Sequence, residues 1–196
     1  MSVTLLLLGA GAASRMRGGD KLMEVVYGRP LIARQAAAGL RAGLPVIVTL
    51  PPLPHPRGAA LTEMPVARIE VPDAAEGMAA SIRAGVRAVA PGTTGLMVLP
   101  ADMPEVDADD IRAMAADWDG AEILRGAGQD GTPGHPVLFP ADLFEELTQL
   151  SGDQGAREVL VRHRARLRLF PLPGRHALTD LDTPEDWAAW RTGGTA

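Results

Sequence analysis

The sequence has 196 residues, with 19 Lys and Arg against 24 Asp and Glu, a formal net charge of −5 at pH 7 and no cysteine. This length favours one domain, expected over residues 1–191 with a disordered tail at 192–196, and the acidic balance argues against a nucleic-acid-binding surface. The lack of cysteine excludes disulfide scaffolds and thiol chemistry, and the apolar run at residues 3–8 is too short for a membrane span and follows no basic segment, which indicates a cytoplasmic protein.

Strands and helices alternate through the first part of the sequence. Apolar runs closed by Gly or Pro predict buried strands at Val3–Leu8, Val46–Leu50 and residues 95–99, with a weaker one at 68–71. Apolar residues at helical spacing predict helices over residues 30–42, 76–90 and 107–118, and in the second of these Met78, Ile82, Val86 and Val89 are expected to share a buried face. Residues 51–58 are rich in proline and predict an exposed loop.

The second half of the sequence predicts three more strands, at residues 121–124, 137–139 and 167–170, and three helices, at residues 141–150, 154–164 and 184–191. Thr183 is the expected N-cap of the last helix. This alternation favours right-handed crossovers and an α/β fold, in which a mostly parallel central sheet has helices on both faces. Ligands bind at the carboxyl ends of the strands in such sheets, which directs attention to the segments after Leu8, Leu50 and Leu99.

The segment after the first strand combines small residues with two cations. Its consecutive backbone N–H groups are suited to an anion, and the side chains of Arg15 and Lys21 would add positive charge, so the segment is typical of a polyphosphate cradle. A dinucleotide-binding loop is an alternative, but no acid follows the second strand to hold a ribose. A P-loop is excluded because Lys21 precedes Leu22 rather than Ser or Thr. The remaining alternative is a glycine turn with surface cations.

Asp102 lies just beyond a buried strand, between Pro100 and Pro104. Magnesium is commonly held by one or two carboxylates together with phosphate oxygens and water, so Asp102 is a candidate Mg²⁺ ligand facing the cradle. The alternative is that Asp102 only caps a turn.

Residues 7–22 resemble the N-terminal signature of the MobA/MocA-like nucleotidyltransferases, L-A-A-G-x-S-x-R-M-G-x-x-K. Gly11, Arg15, Met16 and Lys21 match it, while Ala13 replaces the usual Ser and the bridge to the lysine is longer. The resemblance implies a three-layer, Rossmann-like nucleotidyltransferase fold of the GT-A type, with catalytic roles for Arg15, Lys21 and Asp102. The nucleotide contacts it implies in this loop are Leu8, Gly9, Ala10, Gly11, Ala12, Ser14, Arg15 and Lys21.

Further motifs are similar to this family in the same order along the chain. Residues 102–104 resemble its D-M-P motif, which binds the catalytic Mg²⁺, and residues 180–186 resemble its D-I-D-T-P-E-D motif, which brings a second acid. If this second stretch is extended, Asp180 and Asp182 lie on one face, and the sequence leaves open which of them points to the metal.

Three other stretches carry implied contacts. Residues 76–85 resemble the helix start that meets the nucleotide, through Gly77, Met78 and Ser81, although a plain amphipathic helix explains much of the pattern. Residues 134–139 resemble the acceptor-side stretch containing His135, which is otherwise an incidental loop histidine. Residues 152–157 resemble a segment of the cytidylyl-transferring branch and imply substrate contacts from Asp153 and Arg157, whose alternatives are a helix N-cap and an ion pair.

The resemblance implies Mg²⁺-dependent transfer of an NMP group, with CMP favoured, from an NTP to a phosphate-bearing acceptor, and release of pyrophosphate. The implied acceptor is molybdopterin or molybdenum cofactor, and the implied partner is a recipient molybdoenzyme. Alternatives are a guanylyltransferase of the MobA type, a sugar-phosphate nucleotidyltransferase and a non-catalytic cofactor-binding chaperone.

Overall fold

The computed structural model describes residues 1–12 and 14–193. Outside this range lie Ala13, which departs from the family signature, and residues 194–196 of the predicted tail. The side chain of Ser14 is also outside it. The strands are Val3–Leu8 (β1), Val25–Val26 (β2), Arg29–Pro30 (β3), Val46–Leu50 (β4), Ala67–Glu70 (β5), Gly95–Pro100 (β6), Ile123–Ala127 (β7), Pro133–Pro140 (β8) and Leu167–Pro171 (β9). The α-helices are Leu31–Arg41 (α1), Pro56–Ala59 (α2), Met78–Arg87 (α3), Ala108–Asp117 (α4), Phe144–Thr148 (α5), Arg157–Arg162 (α6) and Pro184–Gly193 (α7).

Within the described residues, seven strands form one mixed sheet in the order β5-β4-β1-β6-β8-β7-β9, and β2 and β3 form a small separate hairpin. β5, β4, β1 and β6 pair in parallel, as do β7 and β9, whereas β8 is antiparallel to both β6 and β7. The carboxyl ends of β1, β6 and β7 therefore meet at one edge of the sheet. The start of β8 lies at that same edge because β8 runs in reverse.

The helices cover both faces of the sheet, which gives three layers. On one face, α1 and α4 pack against the sheet together with Trp187 of α7. On the other face, α3, α5 and α6 form a second apolar core with the opposite sides of the same strands. The mostly apolar strands β1 and β6 are buried because each supplies residues to both cores. The predicted α/β architecture is confirmed.

Two sequence expectations are corrected in the first half of the chain. Residues 51–58 are not simply an exposed loop, because α2 begins at Pro56 and the side chain of Arg57 is only 3% exposed. α3 begins two residues later than predicted, after a 3-10 turn at Ala74–Glu76, and Met78 is 37% exposed rather than part of the buried face. Both corrections concern segments that follow the carboxyl ends of strands, β4 and β5.

The end of the chain is helical for two residues beyond the expected boundary. The hydroxyl of Thr183 accepts a hydrogen bond from the Asp186 backbone N–H at 3.1 Å, as expected of an N-cap. α7 then continues through Thr192 to Gly193, so the predicted tail does not begin at residue 192. Over the described ranges, we find no helix with the length and apolar character that crossing a bilayer requires.

Candidate active site

A cleft of about 660 Å³ opens at the sheet edge formed by the carboxyl ends of β1 and β6. The predicted site residues that line it are Leu8, Gly11, Ala12, Arg15, Lys21, Gly77, Met78, Ser81, Asp102, His135, Asp153, Asp180 and Asp182. These residues come from segments far apart in the sequence, and the parallel strands bring them to one place. Gly9, Ala10 and Arg157 do not line this cleft.

Lys21 is the centre of a charge cluster in the cleft. Its Nζ lies 2.5 Å from Asp102 Oδ2 and 2.5 Å from Asp182 Oδ1, while Arg15 Nη1 lies 2.6 Å from Asp182 Oδ2. The side chains of Lys21, Asp102 and Asp182 are 14%, 16% and 19% exposed, so water screens these pairs only in part. The cluster connects the segment predicted to bind an anion, which contains Arg15 and Lys21, with the acids predicted to bind a metal.

The position of Lys21 is set by the residue before it. Asp20 is the N-cap of the 3-10 turn Lys21–Met23, and its Oδ1 accepts a hydrogen bond from Leu22 N–H at 3.0 Å. Burial by itself lowers the pKa of Lys21, but attraction to Asp102 and hydrogen bonds with Asp102 and Asp182 outweigh burial and raise the pKa above its ordinary value. Lys21 is therefore a fixed cation near neutral pH.

Asp180 and Asp182 both reach the cleft. Leu181 between them is buried at 3% exposure, and its N–H donates to the backbone oxygen of Asp102 at 3.2 Å, which holds this stretch beside Asp102. The two flanking acids both line the cleft. Asp182 is the one of the two that contacts Lys21, and which of them binds the metal stays a prediction.

These carboxylates fit a divalent cation. Asp102 Oδ1 is buried and has no hydrogen-bond partner among the described residues. Burial raises the pKa of Asp180, and the neighbouring charges of Asp102 and Asp182 raise it further, while Lys21 lowers it in part. A metal ion would give Asp102 Oδ1 a partner and reduce the repulsion among the three acids.

Another group of potential metal ligands lies outside the cleft. Single ligand atoms of Asp107, Asp110 and His176 lie within 4.8 Å of one another. However, Asp107 Oδ1 accepts the N–H groups of Asp109 and Asp110 at 2.8 and 3.0 Å, and Asp110 Oδ2 pairs with His176 Nδ1 at 2.7 Å. These atoms cap α4 and anchor the segment that contains His176, which is a sufficient structural role.

The glycine loop, residues 9–12, is held from behind by Arg57. Arg57 Nη1 donates to the backbone oxygens of Gly9 and Gly11 at 2.8 and 2.7 Å, and its Nε and Nη2 bind both carboxylate oxygens of Asp20 at 2.7 and 2.8 Å. Arg57 thus connects the glycine loop to the turn that positions Lys21. Sequence reasoning missed Arg57 because it lies in a proline-rich segment with no periodic pattern.

The glycine loop also separates the cleft from a second cavity of about 560 Å³, which Ala10, Pro51, His55 and Arg57 help to line. Gly11 and Ala12 border both cavities. Gly9 instead packs against β4: its N–H donates to the Thr49 oxygen at 3.0 Å, and an added Cβ would come within 2.9 Å of that oxygen. The N–H group of Gly9 is therefore already used within the sheet.

The start of α3 forms the opposite wall. Gly77 has φ +122°, and an added Cβ would come 2.6 Å from Asp153 Cα, so only glycine allows this contact between the two segments. Ser81 is 4% exposed and lines the cleft. Asp153 also lines it and is not the N-cap of α6, whose N-cap is Ala156. Arg157, the first residue of α6, is exposed away from the cleft.

His135 and Arg125 form the far wall, on β8 and β7. Burial lowers the pKa of His135 to about 4, with a further contribution from the charge of Arg125 against an opposing one from Asp102. His135 is therefore neutral at pH 7. Arg125, which sequence reasoning did not single out, lines the cleft beside His135, and its Nε donates to Gly134 O at 3.0 Å.

Comparison with known proteins gives consistent matches. The family model for the MobA-like NTP transferase domain matches residues 5–167. Two relatives named molybdenum cofactor guanylyltransferase, from Cereibacter sphaeroides and Bradyrhizobium sp. (strain ORS 278), are 30% and 29% identical; each match covers 93% of this chain and 92% or 89% of the relative. The Bacillus subtilis (strain 168) purine catabolism protein PucB is 30% identical over 117 residues, and the chain spans only 56% of its length.

Solved structures agree with these matches. The crystal structure of Rv0371c from Mycobacterium tuberculosis H37Rv is 28% identical, with a TM-score of 0.84 and 96% of each chain covered. A manganese complex of the same protein is 25% identical, with a TM-score of 0.81 and 96% and 97% covered. The family model covers most of the chain, and the site geometry agrees with it. The chain belongs to the MobA-like NTP transferase family.

Proposed function

We propose that this chain transfers an NMP group from an NTP to a phosphate-bearing acceptor of the molybdopterin type and releases pyrophosphate. The observation that carries the proposal is the cluster in which Lys21 bridges Asp102 and Asp182 beside the glycine loop. The names of the two long relatives, molybdenum cofactor guanylyltransferase, support this acceptor class.

The cations of the cluster serve the triphosphate. Arg15 and Lys21 bind carboxylate oxygens at one wall of the cleft, and phosphate oxygens are equivalent acceptors for both side chains. In this assignment the backbone N–H groups of residues 10–12 add to the phosphate site, as a nest of amides does elsewhere. The opposite wall, which contains Gly77, Met78 and Ser81, would contact the nucleoside of the NTP.

The three acids serve a metal. Asp102, with Asp180 and Asp182, would hold Mg²⁺. The M. tuberculosis relative was solved in complex with manganese, which supports a role for a divalent ion. When bound, the ion would offset the negative charge of the phosphates. The chain's own residues then keep the reactants in line and exclude water, which is the main contribution of the protein in phosphoryl transfer.

The acceptor needs no general base. A phosphate nucleophile is already anionic near neutral pH, and His135 in the cleft is neutral there but is not required to remove a proton. The attack on the α-phosphorus forms one P–O bond as the bond to the leaving pyrophosphate breaks. Positioning and charge neutralisation are thus the roles we assign to this cleft.

The donor base is the finer part of the proposal. The segment at residues 152–157 resembles the cytidylyl-transferring branch, and on this basis we propose CTP as the preferred donor. GTP is the second candidate, favoured by the printed names of the two relatives that cover most of the chain.

The test is a pyrophosphate-release screen of CTP, GTP, ATP and UTP, each with Mg²⁺ and either molybdopterin or sugar phosphates. Release with CTP and molybdopterin is the expected result, and release with GTP and molybdopterin would select the second candidate. Turnover only with a sugar phosphate would refute the acceptor. NTP binding without release under every condition would indicate a non-catalytic binding protein.

A further inference from the structure

Arg125 is a cation in the wall of the cleft whose guanidinium has no carboxylate partner in the described part of the chain. Its Nε is satisfied by Gly134 O at 3.0 Å, while Nη1 and Nη2 have no hydrogen-bond partner there. Burial alone lowers the pKa of Arg125, and no acid raises it. A partly desolvated cation without a counter-charge is costly, so this wall is built for an anion that comes from outside the chain.

The backbone around Arg125 is shaped to hold it there. The pairing of β7 with β8 shifts register between Arg125 and Ala127, and such irregularities re-aim side chains next to binding sites. An added Cβ at Gly126 would lie 2.6 Å from His135 O, and one at Gly134 would lie 1.9 Å from Ala177 O. Because Gly126 and Gly134 have no side chains, three backbone segments can pack closely together beside Arg125.

The other cations that line the cleft among the described residues, Arg15 and Lys21, differ from Arg125 in having acidic partners. Arg15 and Lys21 are both bound to Asp182, and Lys21 also to Asp102. Arg125 stands next to His135 on a different wall, where neutral His135 offers one ring N–H as a donor without adding charge. Two separate anion-binding groups thus face one cleft, which suits a reaction between two phosphate compounds.

We propose that Arg125, assisted by His135, binds the terminal phosphate of the acceptor, separately from the NTP phosphates at Lys21 and Arg15. This inference rests on the proposed function for the identity of the acceptor. The planar guanidinium presents two N–H groups that match two phosphate oxygens, so it orients the third oxygen as well as binding the anion.

The first measurement is direct binding of inorganic phosphate to protein already saturated with CTP or GTP and Mg²⁺. We expect Arg125→Gln to weaken phosphate binding by ~10- to 100-fold, since a hydrogen bond to a charged group contributes about 1.5–3 kcal/mol. Arg125→Lys should recover part of this loss, because the charge returns without the fork. The NTP affinity of Arg125→Gln, titrated without acceptor, should change by less than about twofold, whereas a loss of 1.4 kcal/mol would change it tenfold.

The second measurement is the KM for molybdopterin in the pyrophosphate-release assay. Arg125→Gln should raise this KM in parallel with the dissociation constant for phosphate. Arg164→Gln is the matched control, because Arg164 is exposed in a 3-10 turn and does not line the cleft. Unchanged phosphate binding in Arg125→Gln, or a loss of NTP affinity in place of phosphate affinity, would overturn the inference. If phosphate binding depends on Arg125 but no acceptor supports turnover, the inference stands and the proposed function fails.

Discussion

At the scale of single residues, the cleft depends on charged side chains whose ionisation is set by their neighbours. Lys21 stays charged because Asp102 and Asp182 outweigh the effect of burial. His135 stays neutral because burial and Arg125 outweigh the attraction of Asp102. Lys21, Asp102 and His135 could be predicted from motifs in the sequence. Arg57 and Arg125 could not, since a lone arginine has no local pattern. The position of Arg57 depends on backbone oxygens 48 and 46 positions away, and that of Arg125 on the antiparallel pairing of β7 with β8.

The shifted pKa of His135 predicts an acid-sensitive contribution to stability. Its pKa falls from 6.5 to about 4 on folding, so the unfolded chain binds the extra proton between these values. The free energy of unfolding should therefore decrease as pH drops from 6.5 towards 4, by up to ~3 kcal/mol from this group. Urea unfolding at about pH 7 and about pH 4.5 should show a smaller decrease in His135→Gln than in the parent chain. Equal decreases would refute the prediction.

At the scale of elements, the sequence predicted the buried strands best. The runs at β1 and β4 are apolar except for one threonine each and are closed by glycine or proline, and the structure has the same bounds. The reversed direction of β8 was not predicted, because the direction of a strand depends on its connections and not on its composition. α2 was also missed, since its four residues are too few for helical periodicity.

The short helix α2 matters through Arg57. We expect Arg57→Met to lower the free energy of unfolding by about 3 kcal/mol, because it leaves the Asp20 carboxylate without its partner. It should also weaken NTP binding, since the oxygens of Gly9 and Gly11 lose their donor and the glycine loop is freed. Urea unfolding and NTP titration measure the two effects.

Two further variants separate these causes. Asp20→Asn combined with Arg57→Met should recover part of the stability by removing the unpaired charge, while NTP affinity stays low. Arg68→Met is the matched control: Arg68 is exposed and its Nη1 donates only to Gly58 O at 3.3 Å. If Arg57→Met binds NTP as the parent does, Arg57 does not position the glycine loop.

At the scale of the whole molecule, the sheet brings the acids of two distant loops to one edge, and ligand binding should therefore stabilise the entire fold. NTP with Mg²⁺ at 100 times its dissociation constant contributes about 2.7 kcal/mol, which raises Tm by ~5–10 °C in a chain of this size. Chelation of Mg²⁺ with EDTA should remove most of this rise. The Asp102→Asn variant should remain folded but lose the part of the Tm rise that depends on Mg²⁺.

Thermal unfolding with and without EDTA measures the effect. Asp109→Asn is the control, because Asp109 is exposed on α4 and pairs with Arg112 away from the cleft. A Mg²⁺-dependent rise that is the same in Asp102→Asn and in the parent chain would rule out Asp102 as a metal ligand.

The contacts of Lys21 span 81 and 161 positions along the chain. A nascent polypeptide on the ribosome therefore holds Lys21 and Asp102 long before Asp182 has been synthesised. The charge cluster is completed only when the segment that contains Asp182 has docked against the rest of the protein.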